Sequence, residues 1–189
     1  DFLLETAVVH AQFELLHPFK DGNGRIGRIL IPLFLYQKRA LSQPMFYLSE
    51  YLENNREAYY FHLKAISAEG EWIAFFFKAI VTQAGQNSTR VTAIQALYEE
   101  MKLAIQAATR SQYAVHVLDA IFSKPIFRSS DLAAQLFQDF GVHEKTTPGL
   151  LRQMKEAGIL RELQASSGRR PATLCFPRLI NLAEGREVL

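Results

Sequence analysis

His17-Pro18-Phe19-Lys20-Asp21-Gly22-Asn23-Gly24-Arg25-Ile26-Gly27-Arg28 places a proton acceptor, a hard carboxylate, a small-residue turn and two guanidinium groups in one short run. Proline after His17 disfavours the α region at His17, so an upstream helix ends there. Leu4, Ala7, Val8, Ala11 and Leu15 recur at spacings of three and four, which predicts that helix over Phe2–Leu16. The apolar residues from Ile26 onward predict the next helix. Gly22-Asn23-Gly24 therefore lies at a helix N-terminus, where free N–H groups and the positive dipole end attract an anion. Such a turn is also common in hairpins, but a helix follows here, not a strand.

Arg25 and Arg28 are three apart and share a helix face. Both stand in the first turn, where cations oppose the dipole, so the pair points to an anionic partner that guanidinium forks match, such as phosphate. A histidine such as His17 can take a proton from a hydroxyl. Its alternative is a structural histidine held by backbone carbonyls. Asp21 suits Mg²⁺ beside phosphate; its alternative is a turn or cap. Gly27 allows close backbone approach. Phe19 reads as the loop's core anchor and Lys20 as solvated.

Outward from the loop, residues 25–41 are apolar nearly all round and predict a central buried helix, with Pro32 inside it. Ser42-Gln43-Pro44 breaks the pattern. Residues 50–67 predict a second long helix capped by Ser49. Trp72, Phe75, Phe76, Ala79 and Ile80 mark a third, residues 85–88 a polar break, and residues 89–109 a further helix. Residues 113–122 and 130–136 then read as short helices. Another opens at Thr147-Pro148 and closes at Gly158. Residues 159–163 and 173–176 predict two strands around Ser166-Ser167-Gly168-Arg169-Arg170-Pro171. The expected fold is mainly α: a helical bundle over residues 1–86, a connecting helix over 87–110, and a winged-helix-like domain, three helices plus a β-hairpin, over 111–189.

Composition excludes several classes. The chain has 189 residues, 49% of them hydrophobic, enough for a packed core. One cysteine, Cys175, rules out an internal disulfide framework and a cysteine-based zinc site, and fits a reducing, cytoplasmic setting. The longest apolar run, residues 29–36, is far too short for a bilayer, and no membrane association is expected. Residues 1–110 hold 11 basic and 11 acidic residues; residues 111–189 hold 10 and 8, which makes the whole +2. That excess does not make a nucleic-acid footprint.

The run from His17 to Arg28 resembles the signature of Fic-domain proteins, His-Pro-Phe-x-Asp-Gly-Asn-Gly-Arg-x-x-Arg, without a mismatch. The resemblance extends over residues 1–85. It includes His10-Ala11-Gln12-Phe13-Glu14 before the loop, and Leu30-Ile31-Pro32-Leu33, Tyr47-Leu48-Ser49-Glu50-Tyr51-Leu52, Asn55-Arg56 and Tyr59-Tyr60 after it. It implies AMP transfer from ATP to a Ser, Thr or Tyr hydroxyl of a target protein, possibly the chain itself. It makes His17 the base and Asp21 the Mg²⁺ ligand. Gly22, Asn23 and Gly24 become the anion hole, Arg25 and Arg28 the clamp on the β- and γ-phosphates, and Tyr60 an adenine-pocket residue. Some Fic proteins carry a winged-helix module after the core.

Other readings share these residues. De-AMPylation and transfer of phosphate, another nucleotide or phosphocholine are the enzymatic ones; the intact Gly-Asn-Gly stretch favours AMP. A non-enzymatic reading is a winged-helix regulator with a nucleotide-binding core. DNA would meet His143, Glu144, Lys145, Thr146 and Thr147, then Arg152, Lys155, Arg169 and Arg170. Glu144 would repel phosphate, and a docking or homodimerisation module is the plainer reading. Ser49-Glu50-Tyr51-Leu52-Glu53-Asn54 fits the family's inhibitory string but lies between core helices and reads as a capped surface helix. Asp1 opens inside a helical pattern, so the chain is read as the C-terminal part of a longer protein, without the inhibitory helix or target-aligning flap.

Overall fold

The computed structural model describes residues 1–65, 70–143, 145–168 and 170–189 and is mainly helical. It divides into two compact units, Asp1–Ser88 and Thr89–Leu189. Among the described residues no helix is long and apolar enough to cross a membrane.

In the first unit, α1 (Phe2–Leu16) is opened by Asp1, whose carboxylate accepts the Leu3 N–H at 2.9 Å. It ends at His17, which adopts the left-handed region (φ 46°, ψ 55°). The proline constraint is met by turning the chain sharply into the loop. α2 (Asn23–Gln37) follows, with Gly22 (φ 83°) at its N-cap and Pro32 inside it. The two helices pack together.

The buried face of α1 is Thr6, Ala7, His10 and Ala11, whereas Leu4, Val8 and Leu15 of the expected stripe are exposed. Gly27 of α2 faces this helix at close range, its carbonyl 3.1 Å from His10 Nδ1. A Cβ on Gly27 would fall 2.1 Å from Glu14 Oε1 and 3.2 Å from Phe13 Cδ1. α2 is also one-sided. Gly27, Ile31, Pro32 and Leu35 are buried, while Ile29, Leu33 and Tyr36 are exposed. The helix expected over residues 25–41 thus starts earlier, ends at Gln37 and is not buried all round.

The single helix expected over residues 50–67 is two: α3 (Ser49–Asn54) and α4 (Arg56–Lys64). Asn55 (φ −119°, ψ 36°) separates them, its side chain donating to the Tyr51 carbonyl at 2.8 Å. An amide that bonds the local backbone competes with the helical ladder. Leu48, not Ser49, is the N-cap of α3, and no side chain caps it. Ile66 and Ser67 of that expected helix lie outside the described residues.

α5 (Glu71–Thr109) runs through residues 85–88, so the expected polar break is helical. Polar groups here find partners on the helix and its neighbours. Fully buried Gln83 accepts the Tyr51 N–H at 3.0 Å and donates to Asn87 Oδ1 at 3.0 Å and Glu50 Oε2 at 3.3 Å. Trp72, Phe75 and Phe76 at the start of α5 form one core with Ile31, Leu35, Tyr51, Leu52, Tyr59 and Leu63. The Trp72 indole N–H donates to the Ala7 carbonyl at 3.0 Å, which ties α5 to α1.

The second unit has its own core, built on Leu97, Met101 and Ile105 from the later part of α5. Around it stand α6 (Ala114–Ser123), β1 (Ile126–Arg128), α7 (Ser129–Phe140), α8 (Thr147–Glu156), β2 (Arg161–Gln164), β3 (Thr173–Cys175) and α9 (Pro177–Glu184). The strands are antiparallel in the order β1-β3-β2, with Phe127 and Glu162 flanking Leu174. Three helices and the β2–β3 pair match the elements expected; β1 and α9 were not expected. Three-residue β1 is too short to show alternation. α9 does carry readable signals, Pro177 at its start and Gly185 (φ 68°) at its end. Glu144 and Arg169 lie outside the described residues.

The α1–α2 contact yields a test. Gly27→Ala should lower the stability of the first unit by about 1–2 kcal/mol, although alanine is the better helix former. Combining it with Glu14→Ala should recover part of that loss. Denaturant unfolding followed by Trp72, the only tryptophan, measures both. Purely additive changes would show that Glu14 is not the obstacle.

Candidate active site

The loop residues are held mainly by Asn23, which is buried at 2% exposure. Its Oδ1 accepts the Phe19 N–H at 2.9 Å and its Nδ2 donates to the Phe19 carbonyl at 2.6 Å. Both polar ends of the side chain are thereby committed to closing the loop. Phe19, expected as a core anchor, is half exposed, with its ring 6.3 Å from that of Phe13. The amide latch anchors the loop in its place. Lys20 is exposed.

The structure brings Arg25 and Arg28 back over the glycines. A Cβ on Gly22 would lie 3.6 Å from Arg25 Nη2, and one on Gly24 would lie 3.8 Å from Arg28 Nη1. Arg25 is exposed and Arg28 half-buried. No side chain caps α2, so its first N–H groups have no side-chain acceptor. Asp21 is exposed; Oδ1 accepts the Gly22 N–H at 2.7 Å and Oδ2 stands 3.9 Å from Arg25 Nη2. Two guanidinium groups and uncapped amides beside a glycine loop are complementary to a polyphosphate.

His17 is exposed, with Nδ1 3.4 Å from the Glu14 carbonyl. A carbonyl only accepts, so in this contact Nδ1 is the donor and Nε2 is the ring nitrogen that can take a proton. Among the described residues no group of three His, Cys, Asp or Glu side chains could hold a metal ion. Asp21 alone is a donor set that fits a Mg²⁺ arriving with phosphate and water, since Mg²⁺ commonly takes only one or two protein carboxylates.

Tyr60 lies on α4, 43% exposed, with the Arg56 guanidinium 5.8 Å from its ring centroid. Its ring centroid is 5.1 Å from that of buried Tyr59.

Two residues near the loop carry no role in the sequence reading. His10 is 2% exposed; Nδ1 is 3.1 Å from the Gly27 carbonyl and Nε2 is 3.0 Å from the Tyr59 hydroxyl. The imidazole thus donates to Gly27 and accepts from Tyr59. Burial pushes its pKa down to about 4, against the raising effect of the Gly27 bond, and Arg28 lowers it further. Burial raises the Tyr59 phenol. Glu14 Oε1 is buried without a hydrogen bond. Burial pushes this carboxyl above its ordinary value, while Arg28 and His17 pull it down. The signal for His10 was available: it falls on the same α1 face as Ala7 and Ala11.

Comparison with known proteins bears on this geometry. The Fic/DOC family model matches residues 1–35, which include the entire loop. The chain is 38% identical over 58 residues to a protein of Aquifex aeolicus (strain VF5) named "Probable protein adenylyltransferase". That stretch is 31% of this chain and 18% of the relative's length, so the chain spans under a fifth of the relative it matches. The matched residues coincide with α1, the loop and α2 as far as Leu35.

The buried imidazole predicts acid sensitivity. Its folded pKa, about 4, lies below its ordinary 6.5, so the unfolded chain binds more protons between those values. Stability is complete above pH 6.5 and falls as pH drops toward 4, by about 3 kcal/mol in all. Glu14, with its pKa raised, acts in the opposite direction. Denaturation of wild type and His10→Gln between pH 7.5 and 4.5 should show a flatter profile for the variant. Parallel profiles would refute the assignment.

Proposed function

We propose that this chain acts as a protein adenylyltransferase, which moves AMP from ATP to a hydroxyl side chain of a target protein. The observation that carries the proposal is the folding of both arginines over an uncapped glycine-rich helix N-terminus, next to a histidine whose Nε2 can take a proton. The target oxygen attacks the α-phosphorus, the bond from that phosphorus to the bridging oxygen breaks, and pyrophosphate leaves. The hydroxyl proton passes to His17 Nε2. Backbone amides of Asn23 and Gly24 hold the phosphate oxygens, joined by that of Gly22 once it leaves Asp21 Oδ1 for the ligand, and Arg25 and Arg28 clamp the β- and γ-phosphates. Asp21 holds Mg²⁺, which when bound neutralises charge on the phosphates. Tyr60 offers a face to adenine. A cytoplasmic setting follows from ATP as substrate.

The second unit serves in this proposal as a winged-helix-like docking or dimerisation module. Its α8 cations are matched by its own acids: Lys155 pairs with Glu162, and Arg152 lies 3.9 Å from Glu156. Thr147 at the start of α8 is buried and Pro148 has no N–H. These features favour docking over a DNA backbone contact, which rewards unmatched cations.

The test incubates the chain with Mg²⁺ and ATP labelled at the α- or the γ-phosphate, alone and with cell extract. Label from the α-phosphate only, abolished in His17→Ala while ATP binding persists, is the expected result. Label from the γ-phosphate would replace the proposal with phosphotransfer. ATP binding lost in His17→Ala as fully as in Arg25→Ala would remove the base assignment.

A further inference from the structure

His10 joins two parts of the first unit that the proposed reaction keeps apart. On one side it donates to the Gly27 carbonyl at 3.1 Å, between Arg25 and Arg28 on α2. On the other it accepts from the Tyr59 hydroxyl at 3.0 Å on α4, beside the exposed ring of Tyr60. The imidazole is fully enclosed, its ring centroid 6.0 Å from each of those of Tyr59, Trp72 and Phe76. It therefore cannot touch a ligand. What it can do is fix how far α4 stands from α2.

Each end of this bridge is specific. A carbonyl can only accept, so the Gly27 bond forces the proton onto Nδ1. Nε2 then has only a lone pair, which the Tyr59 hydroxyl must meet by donating. Loss of either partner strands a buried polar atom, which a small shift of α4 toward or away from α2 would be needed to relieve. Arg28, Glu14 and Tyr60 are the other charged or titratable groups that act on this pair. None of them bonds to His10.

We infer that His10 is a positioning residue: its two hydrogen bonds set the spacing between the phosphate loop and the aromatic platform at Tyr60, and so determine affinity for the adenosine half of ATP. This rests on the nucleotide reading above. The triphosphate half is bound by the loop and α2 alone, whose latch is Asn23 and not His10. Damage to the bridge should thus separate the two halves of the ligand.

The experiment is calorimetric titration of the whole chain with Mg²⁺–ATP and, separately, with Mg²⁺–tripolyphosphate. Wild type should bind ATP more tightly. Tyr59→Phe removes one hydroxyl and keeps the ring, so the fold survives even where His10→Ala does not. It should lower the ratio of ATP to tripolyphosphate affinity about fivefold, the effect of one lost buried bond, and leave tripolyphosphate binding within about twofold. His10→Gln, which can donate to Gly27 and accept from Tyr59, should restore most of the ratio relative to His10→Ala. An unchanged ratio in folded Tyr59→Phe overturns the inference, as does an equal fall for both ligands, the mark of a merely structural role. Wild type that binds neither ligand sinks the nucleotide reading, and the inference with it.

Discussion

A buried imidazole must satisfy both of its nitrogens, and the first unit is arranged around that requirement. Water cannot reach His10, so its donor and acceptor must be met by protein atoms or stability is lost. The Gly27 carbonyl and the Tyr59 hydroxyl meet them. The carbonyl is within reach because α1 and α2 pack together with Gly27, which has no side chain, against His10, Phe13 and Glu14. The same closeness leaves the Ala7 carbonyl to Trp72 and brings Glu14 against Gly27. One polar side chain thus couples α1, α2 and α4, and the loop from His17 to Gly22 is strung between two helices whose separation is already fixed.

That coupling also explains which features the sequence reveals. The loop is legible because its requirements are local. Proline after His17 stops a helix, small residues make the turn, and apolar residues from Ile26 start the next helix. The face of α1 is not legible from periodicity alone. Leu4, Val8 and Leu15 have the right spacing, yet the buried side is the one with small residues. That side also carries His10, whose partners Gly27 and Tyr59 lie 17 and 49 positions further along. Residues 85–88 read as a break because their composition is polar. In the folded chain α5 continues through them, and nearby Gln83 shows how a polar side chain on this helix is satisfied. Asn55 has the opposite history. Nothing in a helical window flags it, but its amide takes the Tyr51 carbonyl and divides one expected helix into two.

The electrostatics of the loop give the last step. α2 begins at Asn23, so Arg25 alone stands in its first turn, where the helix dipole makes a cation less favourable by a few tenths of a kcal/mol or more; Arg28, expected there too, lies in the second turn. Asp21 offsets Arg25 only weakly, since the pair is 3.9 Å apart and both side chains are well exposed. An arrangement that concentrates like charge at one point gains from an anion that meets amides and guanidiniums together. Asn23 holds the turn through its side chain, and no side chain caps the first amides of α2. The exposure of Arg25 and His17 fits the proposed reaction, in which nucleotide and target hydroxyl would bring the desolvation with them and strengthen the contacts as water leaves. The rigid part of the site is the buried framework of His10, Gly27 and Asn23. Arg25 and His17 stand in solvent on top of it, and this division lets a loop of short-range design present groups at defined spacing.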